Sequence, residues 1–163
     1  EAYSGLAFRQ LKIDEYTQKN WNYIQEKVFI LSAFYGITCG TCKIKKHRLD
    51  FSIKLFEDVS LYKFWSEYVN SFFLENETII NLASSEYSKV IDKKRVDFIN
   101  IDFYENKELK QISANSKKAR GEMLNLLIKN QIENIKVIKT LKLKEYSYNR
   151  ELSSNNNLVF IKD

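Results

Sequence analysis

An α+β fold, a mixed sheet with packed helices, is what this sequence predicts, and three observations predict it. Short β-branched and aromatic runs of strand length, such as those at 79–83 and 158–161, are interspersed with stretches of helical period. The two kinds of segment do not follow regular βαβ alternation. The 163 residues are 44% hydrophobic, which fills one core of ordinary size, and with no proline and four glycines there is no visible linker. A single domain over residues 1–163 is expected.

The elements follow in order along the chain. Ile13 to Lys27 reads as an amphipathic helix with Ile13, Tyr16, Asn20 and Ile24 on one stripe. Val28 to Tyr35 is a continuous apolar run and reads as a buried strand. Gly36 to Ser52 has no clean period and reads as an extended basic loop. Leu61 to Leu74 is a helix capped by Ser60, with Leu61, Phe64, Trp65, Tyr68 and Phe72 on one face. Core packing is expected for Phe64 and Trp65, and exposure for Tyr62. Ile79 to Ala83 is a short buried strand, followed by a helix to about Ile91. Val96 to Tyr104 alternates, with Asp97, Ile99, Ile101 and Phe103 on the buried face. Leu109 to Ser113 reads as a short strand, hairpinned to it through Asn106-Lys107. Ser116 to Gln131 is a helix burying Ala119, Met123, Leu126 and Leu127. Ile132 to Leu141 is a shorter helix, and Leu158 to Ile161 a closing strand.

The longest apolar run, Val28 to Ile37, is too short to span a bilayer, so no membrane segment is expected. Nothing resembles a signal peptide, and the start at Glu-Ala-Tyr reads as that of a fragment. Two cysteines in one short stretch make no disulfide framework, and a reducing, cytoplasmic setting is expected. Cys39-x-x-Cys42 with His47 has zinc-knuckle spacing, but the fourth position is Ser52, a poor ligand. A redox pair wants a helix N-terminus behind its first cysteine, where a loop is expected. Inert thiols, no metal and no cofactor are therefore the expectation.

The formal charge of +5 is unevenly spread. Lys43, Lys45, Lys46, Arg48 and Lys54 face only Asp50 in their stretch, and Lys107, Lys110, Lys117, Lys118 and Arg120 face only Glu108. Acids gather at Asp14–Glu15, Glu57–Asp58 and Glu75–Glu77. Such segregation fits a basic face for an anionic partner, or lysine drift on a solvated surface. Two runs concentrate the chemistry. Asn81 to Tyr87 reads as a strand-to-helix turn, where Asn81, Ser84 and Glu86 either brace the backbone or meet a phosphate. Lys117, Lys118 and Arg120 crowd a predicted helix start, where the dipole disfavours cations and an external anion would favour them.

Seven separated runs, in order, resemble the bacterial YaaA family of peroxide-stress proteins. They are Ala2-Tyr3-Ser4-Gly5, Ile30 to Gly36, His47-Arg48-Leu49-Asp50 with Lys54-Leu55, Leu61 to Trp65, Asn81 to Tyr87, Lys117 to Gly121, and Leu158-Val159-Phe160. The resemblance implies a compact α+β fold of the family's own type, a basic cleft, a helix-hairpin-helix element linked to DNA binding, and protection from hydrogen peroxide with less free iron and less DNA damage. It also implies a further N-terminal stretch that this sequence lacks. No enzymatic reaction is carried over. The main departure is the basic loop, where Cys39-Gly40-Thr41-Cys42 replaces a family segment containing an arginine and an aspartate.

These readings converge on duplex DNA as partner, bound through phosphates without sequence preference. The contact residues would be Arg48, Lys54, Asn81, Ser84, Glu86, Lys117, Lys118 and Arg120, with Lys43, Lys45 and Lys46 adding charge. The alternative is an enzyme or binding protein for a nucleotide or other small molecule, with its phosphate site at the Asn81–Tyr87 turn.

Overall fold

The computed structural model describes residues 4–56 and 59–162. Ala2 and Tyr3 of the first run and the Glu57–Asp58 acidic pair lie outside them. Two short 3-10 turns, Phe8–Gln10 and Ile13–Glu15, precede α1 (Gln18–Lys27). The expected helix from Ile13 is thus split at Thr17. The Asn20 side-chain oxygen accepts from the Thr17 N–H and hydroxyl, at 3.0 and 2.9 Å, so the helix starts afresh there.

The apolar run at 28–37 is not one buried strand. It folds back on itself as a hairpin, β1 (Phe29–Ser32) against β2 (Gly36–Cys39), antiparallel in register from Phe29↔Cys39 to Ser32↔Gly36. The predicted loop therefore begins only after Cys39. Gly36 takes φ +72° at the end of the turn, a value glycine reaches freely. A small ribbon of β3 (Lys54–Phe56) and β4 (Val59–Ser60) leads into α2 (Leu61–Ser71), whose Ser60 cap accepts from the Lys63 N–H at 3.3 Å.

The inward stripe of α2 is narrower than its sequence period suggests. Leu61 and Val69 are buried with Phe73 beyond them, and Trp65 is half-buried. Phe64, Tyr68 and Phe72 form an exposed row instead. Tyr62, expected outside, stacks on buried Phe51 with ring centroids 4.9 Å apart.

The main sheet takes β5 (Thr78–Asn81), then α3 (Ser85–Ser88), β6 (Asp97–Tyr104), α4 (Ser113–Asn130), α5 (Ile135–Ile138), β7 (Tyr146–Tyr148) and β8 (Asn157–Lys162). Strand order is β5-β6-β8-β7, parallel across the first two junctions and antiparallel across the last. This is the mixed sheet of an α+β fold. From Ile99 on β6 alternates as the sequence foretells, but Asp97, expected on the buried face, is exposed and Phe98 is buried. Ile99, Ile101 and Phe103 pack with Leu158 and Phe160 of β8 and with Ala119, Met123 and Leu127 of α4. Phe98 points the other way, into a second cluster with Ala33, Ile37, Phe51, Leu61 and Val69. α4 and α5 thus cover one face of the sheet, and the hairpin and α2 cover the β5–β6 end of the other.

Three expectations fail around β6. Leu109–Ser113 forms no strand, though the Lys110 carbonyl accepts from the Glu105 N–H at 2.8 Å; the chain turns at Asn106 and Leu109 takes φ +59°. α4 begins at Ser113, three residues early, and α3 ends at Ser88 rather than near Ile91.

Two phenols tie α1 and the residue before its cap to α4 and the turn after it. Tyr16 donates to Asn125 Oδ1 at 2.8 Å and Tyr23 to the Ile132 carbonyl at 2.6 Å. Burial pushes both phenols up to about 12, from an ordinary 10.0. The folded pKa lies above the unfolded one, so this stabilisation is whole below pH 10 and is lost as pH rises towards 12. Thermal melts should show a fall in Tm over that window, and the fall should shrink in the Tyr16→Phe/Tyr23→Phe variant.

Candidate functional site

The basic segment 43–48 is seated on the β1–β2 turn by side-chain bonds. Ser32 Oγ accepts from the N–H groups of Phe34 and Tyr35 at 3.2 and 3.3 Å and meets His47 Nε2 at 3.2 Å. His47 Nδ1 lies 3.0 Å from the Lys45 carbonyl, which can only accept. Nδ1 therefore carries hydrogen, and in the neutral ring Nε2 accepts from Ser32. The imidazole stacks on Phe34 at 5.1 Å and meets the Tyr35 ring edge-on. Tyr35 Oη accepts from the Lys45 N–H at 3.0 Å. With the backbone held there, Lys43, Lys45, Lys46 and Arg48 remain exposed. Downstream, Tyr87 Oη donates to Asp50 Oδ1 at 3.4 Å, Tyr62 Oη donates to the Glu86 carbonyl at 3.1 Å, and the Lys89 ammonium sits 5.0 Å from the Tyr62 ring centroid.

The second part of the surface is the carboxyl end of the parallel strands. β5 stops at Asn81, opposite Asn100, while β6 runs on to Tyr104. Strand alternation puts Asn100, Asp102 and Tyr104 on the face shared with Phe98. Arg120 comes from α4 into the electrostatic reach of Asp102 and Tyr104. Burial lowers the Arg120 pKa, while the Asp102 carboxylate and the Tyr104 phenol oppose that fall. Burial and then Asp102 push the Tyr104 phenol up, against Arg120. The buried Arg120 Nε has no hydrogen-bond partner among the described residues. An unmet donor of this kind costs about 1–3 kcal/mol, and more on a charged group.

Asn81 is committed to structure. Its Nδ2 donates to Asn100 Oδ1 at 2.7 Å and to the Ala83 carbonyl at 3.3 Å, and its Oδ1 accepts from the Ala83 N–H at 3.0 Å. The side chain therefore braces the turn and uses up the amide a phosphate would need. Ser84 stands at the N-cap of α3 but its side chain makes no cap bond, so it does not brace the helix start. Glu86 is exposed, and its described link is through its carbonyl.

The Lys117–Gly121 run divides by role. Lys117 and Lys118 are exposed, Ala119 is buried in the core, and Gly121 is buried against the backbone of Ala7. Because α4 starts at Ser113, these cations stand in its second turn. The dipole effect fades beyond the first turn, so that argument for an anion loses force. Among the described residues no ion pair involves Arg48, Lys54, Lys117, Lys118 or Arg120.

Cys39 and Cys42 are joined as a disulfide, which corrects the expectation of inert thiols. Their position explains it. A tight turn at the end of β2 brings their Cα atoms to 5.3 Å, a distance a disulfide spans. Neither sulfur is then a zinc ligand, His47 is engaged by Ser32, and no group of three or more potential metal ligands occurs among the described residues. Ser32, Tyr35, Asn100, Asp102 and Tyr104 were not singled out in the sequence. The signal for the last three was present: polar residues at every second position of a strand otherwise buried.

Residues 1–152 match the family described as peroxide stress protein YaaA. The chain belongs to the YaaA family. It is 40% identical over 97% of its length to a UPF0246 protein of Fusobacterium nucleatum, and 37% identical over 97% to one of Francisella philomiragia. A UPF0246 protein of Streptococcus sanguinis is 38% identical over 99% of the chain. The chain spans 66% of the length of the first two relatives and 68% of the third. Within the YaaA family frame, the runs that fall in the described residues now have places. The turn 32–36 is clamped by Trp65, whose Nε1 donates to the Ala33 carbonyl at 2.8 Å, so two runs distant in sequence form one contact. Among the described residues no helix is long and apolar enough to cross a membrane.

Proposed function

We propose that this chain serves the peroxide-stress role of its family in the cytoplasm by binding the phosphate backbone of duplex DNA, limiting oxidative DNA damage and free iron. Two basic stretches would make the contact, one from Lys43 to Arg48 with Lys54, the other Lys117 and Lys118. The observation that carries the reading is the pairing of charges. Among the described residues every ion pair lies elsewhere: Glu15 with Lys12 and Lys129, Glu133 with Lys27, and Glu105 and Glu145 with Lys162. The cations of the two stretches are exposed and, among the described residues, in no ion pair. Such charges are available to release counterions from a polyanion. Backbone contacts confer register without sequence preference.

The Lys117→Ala/Lys118→Ala variant tests this. Both side chains are exposed, so the fold should be kept. Each phosphate contact removed should weaken duplex binding about fivefold near physiological salt, giving roughly 25-fold for the pair. Binding equal to the parent protein would move the contact away from α4.

A small anion is the second reading, and the orphaned Arg120 Nε favours it. Its site would lie beside Asp102 and Tyr104 rather than at the Asn81–Tyr87 turn, where Asn81 already holds the Ala83 N–H and α3 is only four residues long. Inorganic phosphate or a mononucleotide that binds at micromolar levels, and is lost in Arg120→Lys while duplex binding persists, would select it.

A further inference from the structure

We infer that Cys39 and Cys42 form a thiol–disulfide exchange site, reduced by a thiol and re-oxidised by a hydroperoxide, and that its state sets the order of the basic segment beside it. The consequence for DNA rests on the backbone-binding reading above; the exchange and the ordering do not.

Accessibility and geometry carry the first half. Cys42 is exposed and Cys39 half-buried, so an external thiolate reaches the Cys42 sulfur. The turn between them is shaped by contacts other than the S–S bond. The Gly40 N–H donates to the Val28 carbonyl at 2.7 Å, and the Cys42 N–H to the Cys39 carbonyl at 3.2 Å. A Cβ on Gly40 would stand 2.6 Å from Ile24 Cγ2, so the turn backbone lies directly on α1. These contacts keep the two sulfurs neighbours after reduction, and closing the bond again is a pre-oriented intramolecular step.

The chemistry balances without a cofactor. A reductant thiolate attacks Cys42 Sγ, the S–S bond breaks, and its electron pair leaves on Cys39 Sγ, which takes up a proton. Thr41 Oγ1, 3.6 Å from Cys39 Sγ, is placed to donate to that thiolate. A second reductant thiolate displaces Cys42 from the mixed disulfide, and the reductant departs as its own disulfide. In the oxidising direction the Cys42 thiolate attacks the outer oxygen of a hydroperoxide. The O–O bond breaks, the alcohol or water leaves, and a sulfenic acid forms. The Cys39 thiolate then displaces hydroxide, which leaves as water, and the disulfide is restored. Lys43, Lys45 and Lys46 follow closely in sequence and favour thiolate. No helix N-terminus stands behind Cys39, which ends a strand, so the site suits a slow sensor rather than a turnover catalyst.

Position carries the second half. Residues 43–50 have no regular structure. They are held midway by the Lys45 N–H to Tyr35 Oη bond and by His47 on Phe34 and Ser32. The disulfide is the covalent anchor at the head of this stretch. Reduction leaves that end on the single 3.2 Å bond from the Cys42 N–H to the Cys39 carbonyl, so it loosens and the arrangement presenting Lys43, Lys45 and Lys46 together becomes one of several.

The test is a titration of the purified chain in glutathione buffers of set ratio, with thiols trapped by alkylation and counted by intact mass. Hydrogen exchange at the Lys45 amide and affinity for a labelled duplex are read in the fully oxidised and reduced forms. The expected result is one reversible two-electron transition in the folded protein, re-oxidation by hydrogen peroxide, and faster Lys45 exchange when reduced. If the reduced segment is competent about one-fifth of the time, duplex affinity falls about fivefold. The Cys39→Ser/Cys42→Ser variant should match the reduced form in every buffer. A disulfide that yields only on global unfolding, or Lys45 exchange equal in both forms, overturns the inference. Altered Lys45 exchange with no duplex binding in either form upholds it and removes the DNA reading instead.

Discussion

Gly36→Ala should lower Tm by about 5 °C or more. Two costs add. Gly36 has φ +72°, where a Cβ costs about 1–2 kcal/mol. That Cβ would also lie 2.6 Å from Trp65 Cε3 and 3.0 Å from two more ring atoms. The ring cannot swing aside freely, because its Nε1 holds the Ala33 carbonyl and its faces and edges meet Phe64 and Tyr68. Overpacking of this kind adds about 1–3 kcal/mol. The sum, about 2–5 kcal/mol, converts at about 2–4 °C per kcal/mol in a domain of this size. Calorimetry giving a Tm within about a degree of the parent would contradict the clamp between the hairpin turn and α2.

The second large effect is at Gly121. A Cβ there would stand 2.0 Å from the Ala7 carbonyl oxygen and 2.7 and 2.9 Å from its C and Cα. These are main-chain atoms, so no rotamer change relieves the clash. Alanine gains about 1 kcal/mol over glycine inside a helix, which does not offset a backbone collision worth about 1–3 kcal/mol or more. The segment around Ala7 must leave α4, against its anchor at Asn125 Oδ1, which accepts from the Lys12 N–H and Tyr16 Oη. Gly121→Ala should therefore speed hydrogen exchange at the Gln10 and Leu11 amides, which bond to Ala7 and Phe8, and lower Tm while α4 keeps its helicity. Unchanged exchange at Gln10 and Leu11 would mean the segment is docked elsewhere.

Both glycines belong to runs recognisable in the sequence, Ile30 to Gly36 and Lys117 to Gly121. The second reads from sequence as a cationic site, yet two of its five residues serve packing: Ala119 fills the core and Gly121 admits the chain's early turn. The fold class, the alternation of β6 and the Ser60 cap were legible because each is set by local period or local hydrogen bonding. The hairpin was not. Val28 to Ile37 is apolar but for Ser32 and Gly36, and the Ser32 hydroxyl at the turn, the distant Trp65 and the positive φ of Gly36 show where the chain reverses. The exposed row of Phe64, Tyr68 and Phe72 misled for a related reason. Period assigns a stripe, but which part of an aromatic-rich stripe is covered depends on the neighbours that tertiary structure supplies. The disulfide was missed because compartment was weighed and the turn geometry was not visible. Asp102 and Tyr104 went unnoticed because their partner, Arg120, is brought to them only by the packing of α4.

The central claim is that exposed cations, in no ion pair among the described residues, give this chain affinity for the phosphate backbone. Duplex affinity measured across a salt series tests it most directly. With about five phosphates neutralised, the logarithm of the binding constant should fall against the logarithm of salt concentration with a slope of roughly −4 to −5. A slope near zero, or no duplex binding at low salt, would contradict it.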